Sequence, residues 1–347
     1  MVSEEQVRPK RRVRYAGTHP RRFHEKYKEL NPALYPETVA KVMASGKTPA
    51  GAHRSIMTAE VLEALAPRPG EVAVDATLGY GGHAEAILAR ILPGGRLIGL
   101  DVDPLELPKT ESRLRVAGFG AEVFTAVHSN FAGLGKALGE LGVAGANMVL
   151  ADLGVSSMQF DQPERGFSFK WEGPLDMRLN PARGRPAAAL LKSISEEGLR
   201  ELLVENSDEP YANRLARALV ARRDLKTTTE LTAVIREALA GVAREEVERS
   251  VRRVFQALRI AVNDEFSALE AFLRALPECL AAGGRVAILT FHSGEDRRVK
   301  KSFQELERVG IYAAISDEVI RPGREEVRAN PRAAPAKLRW ARKRAES

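Results

Sequence analysis

The fold is decided by residues 72–83, which are Val72-Ala73-Val74-Asp75-Ala76-Thr77-Leu78-Gly79-Tyr80-Gly81-Gly82-His83. A short run of apolar residues ends on an acid and is followed by a turn that holds three glycines in four positions. Residues 84–91 then have the composition and apolar spacing of a helix. A strand, a glycine turn and a helix in this order predict the first unit of a parallel α/β sheet. Ligands of such sheets bind outside the carboxyl ends of the strands, so residues 75–83 are expected to line a crevice.

The composition is that of an ordinary soluble protein. The chain has 347 residues, of which 44% are hydrophobic and 29% charged. Its single cysteine, Cys279, excludes an intrachain disulfide and fits a reducing cytoplasm. The six histidines are scattered without metal-ligand spacing, so no metal site is predicted. We find neither a run of about 18 apolar residues nor the apolar core of a signal peptide, and therefore expect a cytoplasmic protein without membrane contact.

The net charge of +7 is unevenly distributed along the chain. Residues 8–29 carry nine Lys and Arg against two acids, and residues 321–347 carry nine against three. The segment between them is therefore acidic. Basic ends attract polyanions, of which nucleic acid is the usual one. Two solvated tails are the alternative interpretation.

The sheet is expected to be interrupted by a helical region. Further strands are predicted at residues 96–100, 122–127 and 147–150, and a buried strand at 285–291 returns the chain to the sheet. Between them, helices are predicted at 195–204, 211–223 and 229–239, followed by one long amphipathic stretch at 244–276 that ends at Ala282-Gly283-Gly284. Residues 311–320 and 337–340 are candidate late strands. The predicted strands one, two and four end in Asp75, Asp101 and Asp152, which places three acids on one rim.

These patterns divide the chain into four parts. We expect a basic N-terminal extension at residues 1–52 and the first part of the α/β domain at 53–160. A helical insertion for substrate recognition is expected at 161–260. The second part of the α/β domain, with the basic C-terminus, is expected at 261–347.

The glycine turn favours a cofactor other than a dinucleotide. Gly79, Gly81 and Ala84 fit the dinucleotide spacing, and Asp101 follows 22 positions after Gly79, where a ribose-binding acid is expected. In a dinucleotide fold, however, the glycines follow the strand directly, so that the pyrophosphate meets the helix N-terminus. Here four residues intervene, and Asp75 at the strand tip would repel a pyrophosphate. Asp75 suits the amino group of a methionine moiety, which indicates S-adenosyl-L-methionine; helix capping is the alternative for Asp75.

The fourth strand leads into Asp152-Leu153-Gly154-Val155-Ser156-Ser157-Met158-Gln159, where an amine methyltransferase would place its reacting group. Methylation of an amine requires an acceptor near the N–H, so that the nitrogen lone pair is free when the methyl group arrives. Asp152, Ser156 and Ser157 are the candidate catalytic residues. Plain turn hydroxyls are the alternative for the two serines.

The loop that follows is rich in aromatic and basic residues. Phe167, Phe169 and Trp171 could stack on a base flipped out of an RNA, and Arg165 and Arg178 flank them. Packing of these rings into the helical region is the alternative. His292, after the strand at 285–291, is a further candidate for orienting the substrate; a plain strand-end histidine is as consistent with its position.

The chain resembles the RsmH (MraW) methyltransferases, which methylate cytosine N4 in small-subunit ribosomal RNA. Within that family it looks like a member of a divergent, N-terminally extended branch. Blocks in family order run from residue 57 to residue 339. They are residues 75–83, Asp101-Val102-Asp103-Pro104, residues 151–157, Glu164-Arg165-Gly166-Phe167-Ser168-Phe169, residues 173–178, residues 255–263, Phe291-His292-Ser293 and Asn330-Pro331-Arg332.

The resemblance implies a class I methyltransferase with a Rossmann-like sheet and an inserted helical domain, S-adenosyl-L-methionine as the methyl donor and small-subunit ribosomal RNA as the partner. A homodimer is a candidate assembly. The resemblance implies cofactor contacts at Gly81, Gly82, His83, Asp101, Phe131, Asp152 and Gln159. The glycine motif adds Asp75 and Gly79 to the predicted cofactor site. The resemblance therefore favours a cofactor contact over a catalytic role for Asp152.

Three departures from the family pattern fall in the presumed substrate regions. The family usually has Leu where Gly294 stands, Arg or Ser where Pro335 stands, and Tyr-Gly-Glu-Glu where residues 206–209 are Asn-Ser-Asp-Glu. Three other functions stay open on the sequence. They are methylation of another RNA or another amine, an RNA-binding ribosome assembly factor without turnover, and a nicotinamide oxidoreductase, which Asp75 disfavours.

Overall fold

A computed structural model describes residues 55–345, and the structural statements below concern this part of the chain. Its elements are, in chain order, α1 Thr58–Leu65, β1 Val72–Asp75, α2 Gly82–Ile91, β2 Arg96–Asp101, α3 Leu107–Val116, β3 Phe124–His128, α4 Leu134–Glu140, β4 Ala146–Asp152, α5 Ser157–Asp161, α6 Ala187–Ser193, α7 Glu196–Ser207, α8 Ala212–Ala221, α9 Thr228–Ala238, α10 Arg244–Asn263, α11 Glu265–Cys279, β5 Leu280–Thr290, α12 Ser293–Arg308, β6 Tyr312–Ile315, α13 Arg324–Ala329 and β7 Lys337–Lys343. Short 3₁₀ turns lie at Phe131–Gly133, Pro163–Arg165 and Pro331–Ala333.

The strands form one seven-stranded sheet in the order β3-β2-β1-β4-β5-β7-β6. Strands β1 to β5 are parallel, and β7 runs antiparallel between β5 and β6. The chain moves outward from β1 to β3 and then returns to place β4 on the other side of β1. The order therefore reverses between β1 and β4, which is where open α/β sheets bind ligands. This architecture confirms the class I S-adenosyl-L-methionine-dependent methyltransferase fold with a Rossmann-like sheet.

Alternate residues of the central strands enter two different cores. Val74, Ile98 and Val149 belong to one buried cluster. Their chain neighbours Ala73 and Leu97 belong to another. Because successive side chains of a strand point to opposite faces, the sheet is covered on both sides, as a parallel sheet requires. This explains why the strands are short runs of apolar residues rather than alternating ones.

A third buried cluster lies within the segment between β4 and β5. Its members come from residues 167–258 and include apolar faces of α6 to α10. The start of α9 shows the local chemistry: the Thr227 hydroxyl accepts from the Glu230 N–H, and the Glu230 carboxylate accepts from the Thr227 N–H. The expected boundary at residue 260 falls inside α10, which continues to Asn263.

The prediction of one amphipathic stretch from 244 to 276 is wrong. Helix α10 ends at Asn263, and Asp264, with φ of 51°, turns the chain before α11 begins. Periodicity continues across the break because both helices are amphipathic, so the turn leaves no trace in the apolar pattern. Gly283 and Gly284 do not end a helix either; they lie inside β5, which begins directly after α11.

The other predicted elements differ from the structure mainly at their ends. The third strand is shifted to Phe124–His128, and the candidate strand at 311–320 is a strand only at Tyr312–Ile315, with a separate antiparallel bridge from Ile320 to Leu338. The expected extension at residues 1–52 lies outside the described residues. Within residues 55–345, none of the helices has the length and apolar character that crossing a membrane would require.

Candidate active site

One large cavity, of about 690 Å³, opens at the carboxyl ends of the parallel strands. Its lining includes residues that follow β1, β2, β4 and β5, together with residues from α10 and α11. A cavity of this size is in the range of small-molecule sites. The crevice predicted for the glycine turn is therefore present, and it continues beyond the strand tips into the insertion.

The two strands at the reversal point are joined by hydrogen bonds at their tips. The Asp152 N–H donates to Oγ1 of Thr77 at 2.6 Å, and the Ala76 N–H donates to the Leu150 carbonyl at 2.8 Å. Thr77 is one of the residues between the strand and the glycines. Its side chain therefore joins the turn to the backbone at the tip of β4.

The glycine turn leaves Asp101 with accepting capacity. The Gly79 N–H donates to Oδ2 of Asp101 at 2.7 Å, and the Asp103 N–H donates to Oδ1 at 2.8 Å. A carboxylate oxygen can accept more than one hydrogen bond, so each oxygen retains a position for a ligand hydroxyl. Gly81 has φ of 79°, and a Cβ there would lie 2.9 Å from Cγ2 of Thr110. Only glycine allows the turn to pass this close to α3.

Asp75 is placed differently from its prediction. Its side chain is 2% exposed, it accepts from the Thr77 N–H, and it is absent from the cavity lining. Burial raises the pKa of the Asp75 carboxyl to about 7, although the nearby His83 opposes the shift. Asp75 lies beneath the turn rather than at the cavity surface, so its predicted contact with the methionine amino group stays a prediction that the position of the side chain does not support.

His83 and Asp152 occupy the cavity position expected of Asp75. Nε2 of His83 lies 3.6 Å from Oδ2 of Asp152, which is an ion pair when the ring is protonated but is longer than a hydrogen bond. Burial lowers the pKa of His83, but Asp152 and Asp75 more than offset it, so the pKa lies above its usual value. Within the described residues, both ring nitrogens of His83 and Oδ1 of Asp152 are buried without a hydrogen-bond partner.

Unpaired buried polar atoms at a cavity are the mark of a site that a ligand completes. An S-adenosyl-L-methionine molecule offers an ammonium and a carboxylate at one end and two ribose hydroxyls near the other. The unpaired Oδ1 of Asp152 suits the ammonium, and the free acceptor positions of Asp101 suit the hydroxyls. Phe131 lines the same cavity and is held in place by an edge-to-face contact with Phe272, at 5.6 Å between ring centroids. The residues present therefore fit the cofactor.

The two serines after Asp152 differ in what the structure describes. Ser156 caps α5: its hydroxyl accepts from the Gln159 N–H, and its own N–H donates to Oε1 of Gln159. Ser156 lines the cavity, yet its hydroxyl already has this structural role. The Ser157 backbone begins α5, whereas the Ser157 side chain lies outside the described part of the structure.

Gln159 is joined to a buried acid that the sequence analysis did not assign. Its Nε2 donates to Oδ2 of Asp103 at 2.7 Å, and Nη1 of Arg165 donates to the same oxygen at 2.8 Å. Arg165 also donates to the carbonyls of Arg178 and Leu179. The predicted RNA contact through Arg165 is therefore not supported by this arrangement, since its guanidinium is buried and both Nη atoms donate within the protein.

The remaining predicted substrate residues are divided between the cavity and other places. Phe167 and Phe169 line the cavity, but Phe167 is 4% exposed within the insertion core, and Phe169 packs edge-to-face on Phe255 at 5.7 Å. Packing into the helical region, the alternative interpretation, therefore describes these rings. Trp171 and Arg178 are absent from the cavity lining, and Arg178 forms a two-point pair with Asp176.

His292 does line the cavity, and it belongs to a charged wall that sequence reasoning missed. We name this the far wall: Arg259, Glu265, His292 and Glu295, all of which line the cavity. Arg259 and Glu265 form a two-point pair with both N–O distances at 2.8 Å. Nε2 of His292 lies 3.1 Å from Oε1 of Glu295. Although burial would raise it, His292, Arg259 and the Phe291 N–H hold the pKa of Glu295 below its usual value.

A local signal for the far wall was present in the sequence. Arg259 lies in the block at 255–263, and Glu295 follows His292 at helical spacing. Their meeting is a tertiary event, however, because α10, α11 and α12 converge there. The departure at Gly294 lies beside this wall: a Cβ at Gly294 would be 2.7 Å from Cζ of Phe266. The Phe266 ring fills the space into which a larger residue would extend.

The departure at residues 206–209 lies inside the insertion rather than at the cavity. Nδ2 of Asn206 donates to the Ala257 carbonyl, and Oε1 of Glu209 accepts from the Ser250 hydroxyl. These side chains join α7 and the following turn to α10. The Pro335 departure does reach the cavity lining.

Comparisons with known proteins agree with this geometry. A family model described as the MraW methylase family matches residues 50–344. A ribosomal RNA small subunit methyltransferase H 2 of Alkaliphilus metalliredigens is 54% identical over 339 residues, covering 95% of this chain and 97% of its own. A ribosomal RNA small subunit methyltransferase H 1 of Lachnoclostridium phytofermentans is 52% identical over 340 residues, covering 96% and 92%.

A third relative differs in coverage. A ribosomal RNA small subunit methyltransferase H of Heliobacterium modesticaldum is 43% identical over 310 residues, covering 84% of this chain and 98% of its own. The alignment with the Alkaliphilus protein leaves only about 5% of this chain uncovered, fewer residues than residues 1–52 contain. Much of the expected N-terminal extension therefore has a counterpart in that relative.

Proposed function

The chain belongs to the MraW methylase family, and on that premise we propose that it methylates the exocyclic N4 of a cytosine in small-subunit ribosomal RNA. Family membership makes the protein a methyltransferase that uses S-adenosyl-L-methionine. The RNA substrate is supported by the names of its relatives, which are ribosomal RNA small subunit methyltransferases. An enzyme with this substrate would act in the cytoplasm, where ribosomes are assembled.

The observation that carries the proposal is the set of unpaired acceptors at the reversal point of the sheet. We assign the cofactor to the cavity surface formed by Gly79, Gly81, Gly82, His83, Asp101, Phe131, Asp152 and Gln159. Asp101 would accept from ribose hydroxyls, and Asp152 with His83 would hold the amino acid end. The bound cofactor supplies a methyl group on a positively charged sulfur, which an amine nitrogen can attack.

The residues of the chain would contribute orientation and proton acceptance. The backbone of Asp152 is held at the strand tip by the bond from its N–H to Thr77. Transfer of the methyl group to N4 would break the sulfur–methyl bond and leave neutral S-adenosyl-L-homocysteine, and N4 would release one proton to an acceptor or to water. Asp152, Ser156 and Ser157 remain the proposed candidates for this acceptor from the sequence, although Asp152 is also assigned to the amino acid end of the cofactor and the Ser156 hydroxyl caps α5. We propose that the insertion shapes the RNA side of the cavity and that the basic termini hold phosphates.

The test is methyl transfer by the purified full-length protein. Small ribosomal subunits from cells that lack the gene are incubated with labelled S-adenosyl-L-methionine, and the nucleosides are identified by mass spectrometry. We expect label in N4-methylcytidine. Label in another nucleoside, or transfer to transfer RNA alone, would replace the substrate assignment. Binding of S-adenosyl-L-methionine without transfer to any RNA would support the assembly-factor alternative.

A homodimer is part of the same proposal as the expected assembly. Light scattering coupled to gel filtration gives the mass in solution, and a mass near the 38.0 kDa of one chain would rule out the homodimer.

A further inference from the structure

The far wall lines the same cavity as the residues assigned to the cofactor, and strand register accounts for the position of its residue His292. In the parallel pair of β4 and β5, Asp152 is opposite Leu289, and His292 follows three residues later. Both tips therefore open into the same cavity. A group bound to the far wall would lie beside the site of methyl transfer.

The far wall presents an acceptor and a donor next to each other. Both carboxylate oxygens of Glu265 accept from Arg259, through Nε and Nη2, and each oxygen keeps a further acceptor position. Nη1 of Arg259 makes no hydrogen bond within residues 55–345. The two side chains are 18% and 13% exposed, so they are shielded except toward the cavity that they line. The two-point pairing fixes their relative geometry.

The second pair of the wall supports the first. Nδ1 of His292 accepts from the Glu295 N–H, and Glu295 in turn accepts from the Phe291 N–H. Nε2 of His292 lies 3.1 Å from Oε1 of Glu295 but, within residues 55–345, is buried without a hydrogen-bond partner. Glu295 is therefore occupied by its own neighbours. Glu265, Arg259 and Nε2 of His292 are the groups of this wall that can still bond to a ligand, and only Glu265 and Arg259 are fixed to each other by a two-point pair.

This order of donor and acceptor matches one class of nucleobase edge. Cytosine presents an amino donor at N4 beside an acceptor at N3, and a flipped base is recognised by hydrogen bonds to this edge. We infer that Glu265 accepts from the amino group of the target base while Arg259 donates to the neighbouring ring acceptor. The inference rests on the proposed function and names the residues that choose the base.

The same order rejects uracil. Uracil has a carbonyl oxygen where cytosine has N4, so its acceptor would face the Glu265 carboxylate and its N3–H would face the Arg259 guanidinium. Two acceptors opposed in a shielded site are unfavourable because neither is satisfied. Adenine shares the donor–acceptor order of cytosine, so this wall selects for an exocyclic amine.

A metal ion fits the far wall less well than a base edge. Ligand atoms of Glu265, His292 and Glu295 do lie within 4.8 Å of one another. Both oxygens of Glu265, however, are held by the positive charge of Arg259. A cation would have to displace that guanidinium or lie next to it, which Coulomb repulsion opposes. A neutral hydrogen-bonding group needs no such displacement.

The test compares binding of two RNA fragments to the full-length protein with S-adenosyl-L-homocysteine present. The fragments are centred on the nucleotide that the wild-type protein methylates and differ only in having cytidine or uridine there. The wild type should bind the cytidine fragment on the order of ten- to a hundredfold more tightly. In Glu265→Gln the ratio should fall well below the wild-type value, because an amide group can donate to the uracil carbonyl, while the uracil N3–H still faces Arg259.

A matched control lies on the same helix. Glu270 of α11 pairs with Arg298 of α12 at 3.0 Å. Glu270 is absent from the cavity lining, so Glu270→Gln should keep the wild-type ratio. Arg259→Lys keeps the charge but loses the two-point geometry, and it should lower affinity for the cytidine fragment while S-adenosyl-L-methionine affinity stays unchanged. This second variant tests the wall even if Glu265→Gln fails to fold.

Three results would overturn the inference. They are an unchanged cytidine-to-uridine ratio in folded Glu265→Gln, equal loss of the ratio in Glu270→Gln, and binding of Zn²⁺ alone by the wild type that Glu265→Gln abolishes. If instead the wild type methylates no cytosine in ribosomal RNA, the proposed function fails first. The two failures are thereby distinguishable.

Discussion

Asp103 and Arg165 form a buried ion pair, with Nη1 of Arg165 2.8 Å from Oδ2 of an Asp103 side chain that is fully buried. The pair connects the two sides of the active site. Asp103 donates its N–H to Asp101 at the cofactor wall, and Arg165 holds the carbonyls of Arg178 and Leu179 in the insertion loop. The contact therefore transmits the position of the second strand to the loop that follows the fourth.

Replacing Asp103 by Asn should destabilise the protein strongly. The substitution leaves Arg165 charged and buried without its counter-ion, and breaking a buried pair typically costs about 3–5 kcal/mol. The measurement is the free energy of unfolding from urea denaturation. Asp161→Asn, which breaks the partly exposed pair with Arg332, is the control and should cost less than about 1 kcal/mol. Similar losses in the two variants would show that the Asp103 pair contributes nothing special.

Removing the Thr77 hydroxyl should weaken methyl transfer more than folding. Thr77→Val keeps the shape but removes the acceptor for the Asp152 N–H, at a cost of about 1–3 kcal/mol if that N–H stays unpaired. Asp152 would then lose its fixed position. We expect a lower kcat with a small change in the midpoint of thermal unfolding, and recovery in Thr77→Ser, which retains the hydroxyl. A Thr77→Ser variant as slow as Thr77→Val would argue against the hydrogen bond.

Changing Asp101 to Asn should weaken the cofactor complex. One oxygen becomes an NH₂ group, which can neither accept from the backbone N–H it now faces nor accept from a ribose hydroxyl. We expect S-adenosyl-L-methionine to bind on the order of tenfold or more weakly, as for the loss of a hydrogen bond to a charged group. Isothermal titration calorimetry measures this. Asp317→Asn, at an exposed acid, makes the same charge change and should keep the wild-type Kd.

The stability of the protein should fall as the pH rises from 5 to 8. The folded state raises the pKa of Asp75 from its usual 3.8 to about 7 and also raises that of His83. Both groups therefore bind protons more readily in the folded than in the unfolded chain, and stability decreases as pH rises toward the folded pKa. Below about pH 4 Asp75 is protonated in both the folded and the unfolded chain, so its burial does not lower the free energy of unfolding. Between about pH 4 and pH 7 only the unfolded chain ionises Asp75, and the free energy of unfolding falls steadily over this range.

Asp75→Asn isolates this contribution. The amide is never ionised, so the fall in the free energy of unfolding between pH 5 and pH 8 should become smaller by about 2–4 kcal/mol. Urea denaturation at a series of pH values measures it, with Asp317→Asn as the exposed control. A wild-type slope that Asp75→Asn leaves untouched would mean that Asp75 ionises freely in the folded protein.

The local features of the cofactor side could be predicted from the sequence. Strand β1 has the predicted bounds, Val72–Asp75, because a short apolar run between turn signals is a local pattern. Asp101 and Asp152 were placed at strand ends because an acid directly after an apolar run needs no knowledge of the partner strand. The glycine turn was found because a backbone with positive φ demands glycine.

What the sequence could not supply was the neighbour of each polar side chain. Asp75 and Thr77 look alike as strand-end polar residues, yet one is buried under the turn and the other holds Asp152, 75 positions away. Arg165 was assigned to the substrate because it lies beside the aromatic rings in the chain, whereas its partner Asp103 lies 62 positions earlier.

By itself, the sequence determined the α/β class, the glycine turn, the cofactor and the family, since these depend on local periodicity and on ordered blocks of residues. Only the tertiary structure decided which charges face the cavity. The far wall exists because α10, α11 and the end of β5 converge. Because its charged groups are buried there, they can pair only with each other or with a ligand. Pairing of this kind depends on distances of a few ångströms between residues remote in the chain, and no local pattern encodes them.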